Sequence, residues 1–385
     1  MSYSLHYFIR KTSTRYQLTQ LAGNAGLHAD ISWVYLMEDI ENTDFLRGGE
    51  LVITTGMSIH SEQTLLAFAA SLKRKQACGL LLNVGHYITK IPLSLISYCD
   101  ENSLPLFTMP WKIHIADLME QYCNEITIQR NIRSQIESAF EKLLFSSPAD
   151  ESALALLARY GCQTGDTYHI TASRDPIPSA THSLPMNDLY YGIFFPGEFS
   201  DTPHPFSYGI TVCNDLCSLY TAHRQAYEAY LVSRIKNQPV VSYEEIGLYR
   251  TVFSIPDTSS LIALSMPLLC PLLSYDKKHH TDYFSLLRLY LEHGKSVQAA
   301  AKVVYTHRNT VNYRIGKIKE LLAADFDSLA QCCEYELAFH IYDVLSATAP
   351  EVWENLSRGQ LHLDKPSNKV YIIRRVNPIE NHFRK

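Results

Sequence analysis

The stretch Ser296-Val-Gln-Ala-Ala-Ala-Lys-Val-Val-Tyr-Thr-His-Arg-Asn-Thr-Val-Asn-Tyr-Arg-Ile315 gathers the residue types that can read a nucleic acid, in the proportions of a short helix, a tight turn and a second helix. Ser296 is a good N-cap for the first helix and Thr306 is expected to cap the second. Ala299, Ala300 and Ala301 are small, as closely crossing helices require, and Val304 closes the first helix. In the second helix Val311, Ile315, Ile318 and Leu322 fall at steps of four, three and four and so define a buried face. The outward arc then holds Asn309, Asn312, Tyr313, Gly316 and Lys317. Asparagine amides pair with adenine edges or phosphates, a lysine neutralises a phosphate, and a glycine lets the backbones approach. Arg308 and Arg314 flank the arc, where guanidinium forks reach phosphates, and Arg308 is close enough to the helix start to reach a guanine edge. The DNA-contacting set expected from the sequence is His307, Arg308, Asn309, Thr310, Asn312, Tyr313, Arg314 and Lys317. Tyr305 stands where such motifs usually place a small residue, and it is expected to bury its ring to get round the turn.

The charge distribution points the same way. The chain of 385 residues has a formal net charge of −5, which by itself argues against a nucleic-acid binder. From 282 to 322, however, seven Lys/Arg (Arg288, Lys295, Lys302, Arg308, Arg314, Lys317, Lys319) face three acids (Asp282, Glu292, Glu320), so this segment carries +4 and the remainder −9. Such asymmetry is the electrostatic footprint of a DNA-reading module.

Other chemistries find little support. The sequence holds no phosphate-binding Walker loop, Gly-x-Ser-x-Gly elbow or His-Glu-x-x-His helix, so no catalytic residues, metal or cofactor are expected. Nine scattered cysteines neither form a disulfide framework nor fall at zinc-ligand spacing, and are read as reduced thiols. His279-His280, on a Pro-ended, Lys-flanked segment, reads as solvated. The longest apolar run, Leu261 to Leu273, is interrupted by Pro267 and Pro271 and shorter than the roughly 20 residues a bilayer span needs. The N-terminus lacks the apolar core of a secretory signal. A cytoplasmic protein without a membrane span is expected.

The elements that must carry this motif follow from periodicity. Between Glu50 and Pro110 the apolar runs ELVITTG, GLLLNVG and LPLFTMP alternate with helical stretches at 61–76 and 92–102, which predicts a parallel βαβαβ sheet. The turns at the carboxyl ends of those strands, where open α/β sheets take ligands, contribute the candidate effector residues Thr54, Thr55, Gly56, Asn83, Gly85 and Trp111. Ordinary β-to-α turn chemistry accounts for the same residues. From Ile115 to Leu143 apolar residues recur in three- and four-residue steps, a long amphipathic helix that either packs on its own domain or forms a seam between protomers. The segment 168–253 reads as α+β with a helix at 219–236, 257–278 as a proline-punctuated connection, and helices dominate from 282 to 345. The fold class is therefore multidomain α/β: a parallel α/β sensor domain at 1–112, a connector helix at 113–147, an α+β domain at 160–256, an all-α helix-turn-helix domain at 280–346 and a tail at 347–385.

At HRNTVNYRIGKIKELL and the preceding LLRLYLEHGKSVQAAAKVVY the chain resembles the PucR/CdaR family of bacterial transcription regulators, whose C-terminal helix-turn-helix carries His-Arg-Asn-Thr followed by Tyr-Arg. His307, Arg308, Asn309, Thr310, Tyr313 and Arg314 match that signature. WVYLMEDIENTDFLRGGELVITTGM and LPLFTMPW resemble the family's N-terminal purine-catabolism-regulator domain, and YGITVCNDLCSLYTAHRQAYEAY with VVSYEEIGLYR resembles its degenerate GGDEF-like domain. The middle segment has no Gly-Gly-Asp/Glu-Glu-Phe, so cyclase activity is not expected; Arg47-Gly48-Gly49-Glu50 is superficially similar but lies in the first domain. The resemblance implies a homo-oligomeric regulator that binds double-stranded DNA and answers to a small metabolite, with a link to purine or nitrogen catabolism. Two other readings remain open: an adaptor whose basic hairpin binds an acidic protein, and a nucleotide-processing enzyme.

Overall fold

The structure, a computed structural model, describes residues 4–200 and 203–350. Its contacts divide the chain into two compact units, 1–135 and 136–385.

The first unit is an α/β/α sandwich. In chain order it contains α1 (Leu5–Tyr16), β1 (Thr19–Ala22), β2 (Trp33–Leu36), β3 (Glu50–Thr54), α2 (Glu62–Arg74), β4 (Gly79–Val84), α3 (Leu93–Glu101), β5 (Leu106–Pro110) and the start of α4 (Ile115–Phe145). The sheet order is β1-β5-β4-β3-β2, parallel except for β1. The expected βαβαβ core is therefore present, extended by a strand at each edge.

The continuous apolar runs of β3, β4 and β5 follow from burial on both faces. Val52, Leu80, Leu82 and Leu106 pack under Leu65, Phe68, Leu72 and Leu95 of α2 and α3. Leu51, Ile53, Leu81 and Phe107 face Leu5 and Phe8 of α1 and Leu118, Tyr122 and Ile126 of α4. The Tyr122 hydroxyl shares a 2.6 Å hydrogen bond with Thr12. The 47–50 turn has a structural role: the Glu50 carboxylate accepts from the amides of Arg47 and Gly48, each at 2.8 Å.

The second unit begins with the remainder of α4, whose Ala139, Phe140, Leu143 and Leu144 are buried in its core. It continues through α5 (Glu151–Arg159), β6 (Tyr168–Ser173), β7 (His182–Met186), β8 (Leu189–Phe194), β9 (Tyr208–Cys213), α6 (Leu219–Ile235), β10 (Val240–Ser242) and α7 (Tyr249–Ser254). The helices α8 (Thr258–His279), α9 (Tyr283–Glu292), α10 (Val297–Val303), α11 (Arg308–Leu322) and α12 (Leu329–Thr348) complete it. Its sheet runs β10-β9-β6-β8-β7 and is antiparallel apart from the β10/β9 pair. Helix α6 lies so close to β9 that a Cβ on Gly209 would fall 2.0 Å from the Tyr230 amide nitrogen. Only glycine permits that approach.

The proline-punctuated connection expected at 257–278 is instead the single helix α8. Pro267 and Pro271 lack the N–H that would bond the carbonyls of Ala263 and Pro267, but both prolines and Ala263 are exposed, on the side of the helix where solvent can take the place of the missing donors. The opposite face holds Leu261, Ile262, Leu269 and Leu272, all buried. By length and composition α8 is the one helix among the described residues that would suit a membrane span. Those four leucine and isoleucine side chains instead pack into two cores of the unit, as in a core helix. One core joins α6, α7, α8 and α12 and the other joins α8 to α12. The basic end of the sequence, from 351 onward, lies outside the described residues, and with it most of the tail set at 347–385.

Candidate nucleic-acid interface

Two polar networks hold the helical end in place. Asp276 near the end of α8 accepts from the amides of Tyr283 and Phe284 at 2.8 Å each, capping α9 from outside. Asp343 of α12 is buried and takes both nitrogens of the Arg288 fork, at 2.7 and 2.8 Å, and the Tyr249 hydroxyl at 2.7 Å. Burial, and then the Asp343 carboxylate, push the Tyr249 phenol far above its ordinary pKa. Tyr249 is on α7 and Arg288 on α9, so one buried carboxylate ties the sheet side of the unit to the start of the helix-turn-helix.

Helices α10 and α11 cross over Ala300 and Ala301, 0% and 7% exposed, and Val311, Ile315 and Ile318 of α11 face the same core. The Ser296 hydroxyl accepts from the Ala299 amide at 3.2 Å, the expected first cap. The second cap differs from expectation. His307 starts α11, its Nδ1 accepting from the Asn309 amide at 3.2 Å, while the Thr306 hydroxyl donates to Val304 O. An imidazole nitrogen reaches the amide two residues on as well as a threonine oxygen does, and Thr306 is spent on closing α10.

Tyr305 overturns its expectation outright. Its ring is 97% exposed and its backbone sits at φ 50°. The Thr306 amide bonds Ala301 O at 3.0 Å and the Tyr305 amide bonds Lys302 O at 3.4 Å, the double bond of a Schellman C-cap whose left-handed residue is usually glycine. The turn is made by backbone geometry rather than ring burial, at about 1–2 kcal/mol of strain for a residue with a Cβ.

The outward arc is as the helical period requires: Arg308, Asn309, Thr310, Asn312, Tyr313, Gly316 and Lys317 are exposed, as is His307, and Arg314 is half-buried. Its cations fall into two groups. Arg314 pairs with Asp282 at 3.1 Å, Lys317 with Glu320 at 2.7 Å and Lys319 with Asp327 at 3.9 Å. Arg308 and Lys302 enter no ion pair among the described residues. The free positive charge therefore lies at the N-terminal end of α11 and on the last turn of α10. Lys302 is absent from the set expected above, although its place one turn before the helix junction could have suggested it.

The candidate effector residues form a second polar region, at the carboxyl ends of β3, β4 and β5. Glu38, which sequence reasoning missed, lies across it. Its carboxylate accepts from the Thr54 hydroxyl at 3.0 Å and from the amides of Thr55, Gly56 and Met57 at 2.9, 3.1 and 3.2 Å. The turn needs Gly56 at φ 78°, with Ile88 against its α-carbon. The Asn83 amide donates to Met109 O and Pro110 O at 3.4 and 3.3 Å. Beyond Gly85, Trp111 remains 43% exposed and packs on His86 and Tyr87, with ring centroids 4.9 and 5.6 Å away. All nine cysteines are free thiols, and no group of His, Cys, Asp and Glu able to hold a metal occurs among the described residues.

Comparison with known families identifies both ends of this architecture. Residues 9–126 match the purine catabolism regulatory protein-like family and residues 283–341 match the PucR C-terminal helix-turn-helix domain. The chain carries two PucR-type domains. The PucR helix-turn-helix match contains α9, α10, α11 and most of α12, and so all of the exposed arc. The chain is similar to the proline-responsive transcriptional activator PutR of Bacillus subtilis, 29% identical over 144 residues, which are 36% of this chain and 35% of that protein. It is also similar to the purine catabolism regulatory protein of Bacillus subtilis, 26% identical over 112 residues, 29% of this chain and 21% of that protein. The chain thus spans about a third or less of the curated relatives it matches. A crystal structure of a regulator of polyketide synthase expression from Bifidobacterium adolescentis aligns over 54% of this chain and 92% of that one, at 16% identity and a TM-score of 0.28.

Proposed function

We propose that the chain is a sequence-specific, DNA-binding transcription regulator that is not an enzyme. The observation that carries the reading is the exposed and unpaired set Arg308, Asn309, Thr310, Asn312 and Tyr313 on the second helix of a PucR-type helix-turn-helix. An α-helix fits the major groove, asparagine amides make bidentate contacts to adenine edges, and arginine does so to guanine. His307 caps the helix whose N-terminal amides face phosphate, and Arg314 and Lys317 reach the backbone by exchanging Asp282 and Glu320 for it.

The remaining parts follow from this. The protein acts in the cytoplasm as a homo-oligomer, a dimer or higher, whose paired helix-turn-helix units meet half-sites about one helical turn apart. The region 160–256 is a degenerate GGDEF-like domain without cyclase chemistry. The PucR-type N-terminal domain senses a small metabolite, of purine or nitrogen catabolism, through Thr54, Thr55, Gly56, Asn83, Gly85 and Trp111, with Glu38 occupying the donors until the metabolite displaces it. The named relatives, one responsive to proline and one a regulator of purine catabolism, support a nitrogen-linked effector.

Capture of genomic fragments by the purified chain at physiological salt tests the reading. Enrichment of a few sites, lost with Asn312→Ala, is expected; retention of an acidic protein with no DNA enrichment would favour the adaptor reading.

A further inference from the structure

We infer that Tyr305 is a DNA-contacting residue whose exposed ring lies against the sugar–phosphate wall of the groove entered by α11. The inference rests on the DNA-binding reading above and adds to it a residue outside the recognition helix. Three observations converge on Tyr305.

The backbone is held at φ 50°, in the left-handed region that a residue with a Cβ enters against a steric penalty. The ring gives nothing back in the free protein: it is 97% exposed and makes no hydrogen bond or ring contact among the described residues. Glycine at this position would keep both bonds of the Schellman cap, which come from the backbone, and would lose the strain. A strained backbone that carries an unused ring is the pattern expected where a side chain acts on a partner.

The third observation is position. Tyr305 lies in the turn that delivers α11, three residues after Lys302 and three before Arg308, both exposed cations outside every described ion pair. In a helix-turn-helix the first helix crosses the DNA backbone and the second enters the groove N-terminus first, so this turn passes the rim where phosphates and sugars lie. A tyrosine there packs its ring on deoxyribose and donates its hydroxyl to a phosphate oxygen, a contact that fixes register without reading sequence. Lys302 and Arg308 on either side supply the charge for the same strand.

The test compares wild type, Tyr305→Gly and Tyr305→Phe on one captured fragment and one random duplex. Tyr305→Gly is expected to raise Tm by about 2–4 °C. It is also expected to weaken binding about five- to tenfold on both duplexes alike, with the slope of log affinity against log salt unchanged because the lost group is neutral. Tyr305→Phe falls between the two, having lost only the hydroxyl. Wild-type affinity in Tyr305→Gly would overturn the inference while leaving the DNA reading intact. A lower Tm in Tyr305→Gly would overturn it too, since the ring would then be supporting the free fold. A loss confined to the captured fragment would contradict the backbone assignment. Failure of the wild-type protein to hold any DNA would remove the reading on which the inference stands.

Discussion

The two polar surfaces of this molecule differ in what their donors do. At the carboxyl end of the first sheet the donors of Thr54, Thr55, Gly56 and Met57 converge on Glu38, and Asn83 serves the carbonyls of Met109 and Pro110. On α10 and α11 the side chains of Lys302, Arg308, Asn309 and Asn312 stand exposed with no internal hydrogen-bond partner among the described residues. A surface with idle donors binds as it stands. A surface whose donors are satisfied binds only by exchange, so a ligand using the amides from Thr55 to Met57 has to displace a carboxylate, and that displacement is a change another part of the protein can read.

The comparison can be broken or sharpened by substitution. The largest effect is expected at Asp343, which accepts from both Arg288 and Tyr249. Asp343→Ala takes the acceptor from the Tyr249 hydroxyl and from two Arg288 nitrogens, leaving the guanidinium only its 2.8 Å contact with Glu292, and should cost about 3–4 kcal/mol in denaturant unfolding, with the helical end melting before the first unit. A loss under about 1 kcal/mol would mean that the open surface does not depend on this buried support.

Glu228 supplies a contrast to Glu38. Burial pushes its pKa up to about 7 against Arg224 and Arg250, and its nearest described ion-pair contact, Arg224, is 3.8 Å away. The folded state therefore holds a proton that the unfolded state releases, and stability falls as pH rises from about 4.5 to 7. His223, pushed down to about 4 by burial, has the opposite sign: its contribution is present above pH 6.5 and lost as pH falls towards 4. Glu228→Gln should gain up to about 3 kcal/mol at pH 8 and expose the His223 slope, with stability then rising with pH between about 4.5 and 6.5. A variant with the wild-type pH profile would contradict both assignments.

Glu38→Ala should cost about 1–3 kcal/mol in thermal unfolding of the first unit, because the Thr54 hydroxyl and the amides of Thr55 and Met57 lose their acceptor, while the Gly56 amide keeps the Thr54 oxygen at 3.1 Å. No loss would mean that water serves those amides equally well, and the contrast between the two surfaces would disappear. The smallest effect is expected at Gly316, where an added Cβ meets nothing within 4 Å. Gly316→Ala should stabilise α11 by about 0.5–1 kcal/mol and still weaken DNA binding, since only bound DNA would crowd that face.

Much of this architecture could be read from periodicity alone. The runs at 50–54, 79–84 and 106–110 are apolar on both faces because helices cover both faces, and that signal survives without tertiary knowledge. The steps from Val311 to Ile318 likewise fixed which face of α11 is buried. What escaped depended on partners distant in sequence or on context. Pro267 and Pro271 spoke against a helix, and only their common exposure made α8 tolerable. Glu38 lies sixteen or more residues from every donor it accepts from, so nothing local marks it. Tyr305 was expected to bury its ring because it stands where such turns usually hold a small residue, whereas backbone hydrogen bonds alone were enough to make the turn. The pairing of Arg314 with Asp282 spans 32 positions and could not be read from the helix that carries the arginine.

The most direct test of the central claim, that the open end of α10 and α11 is the DNA surface, is the salt dependence of binding to one captured fragment. Wild type, Arg308→Ala and Arg314→Ala would be compared over about 50–200 mM salt. The slope of log affinity against log salt should fall by about one unit for Arg308→Ala, and by less for Arg314→Ala, whose charge Asp282 already offsets. Equal slopes for wild type and Arg308→Ala would contradict the claim.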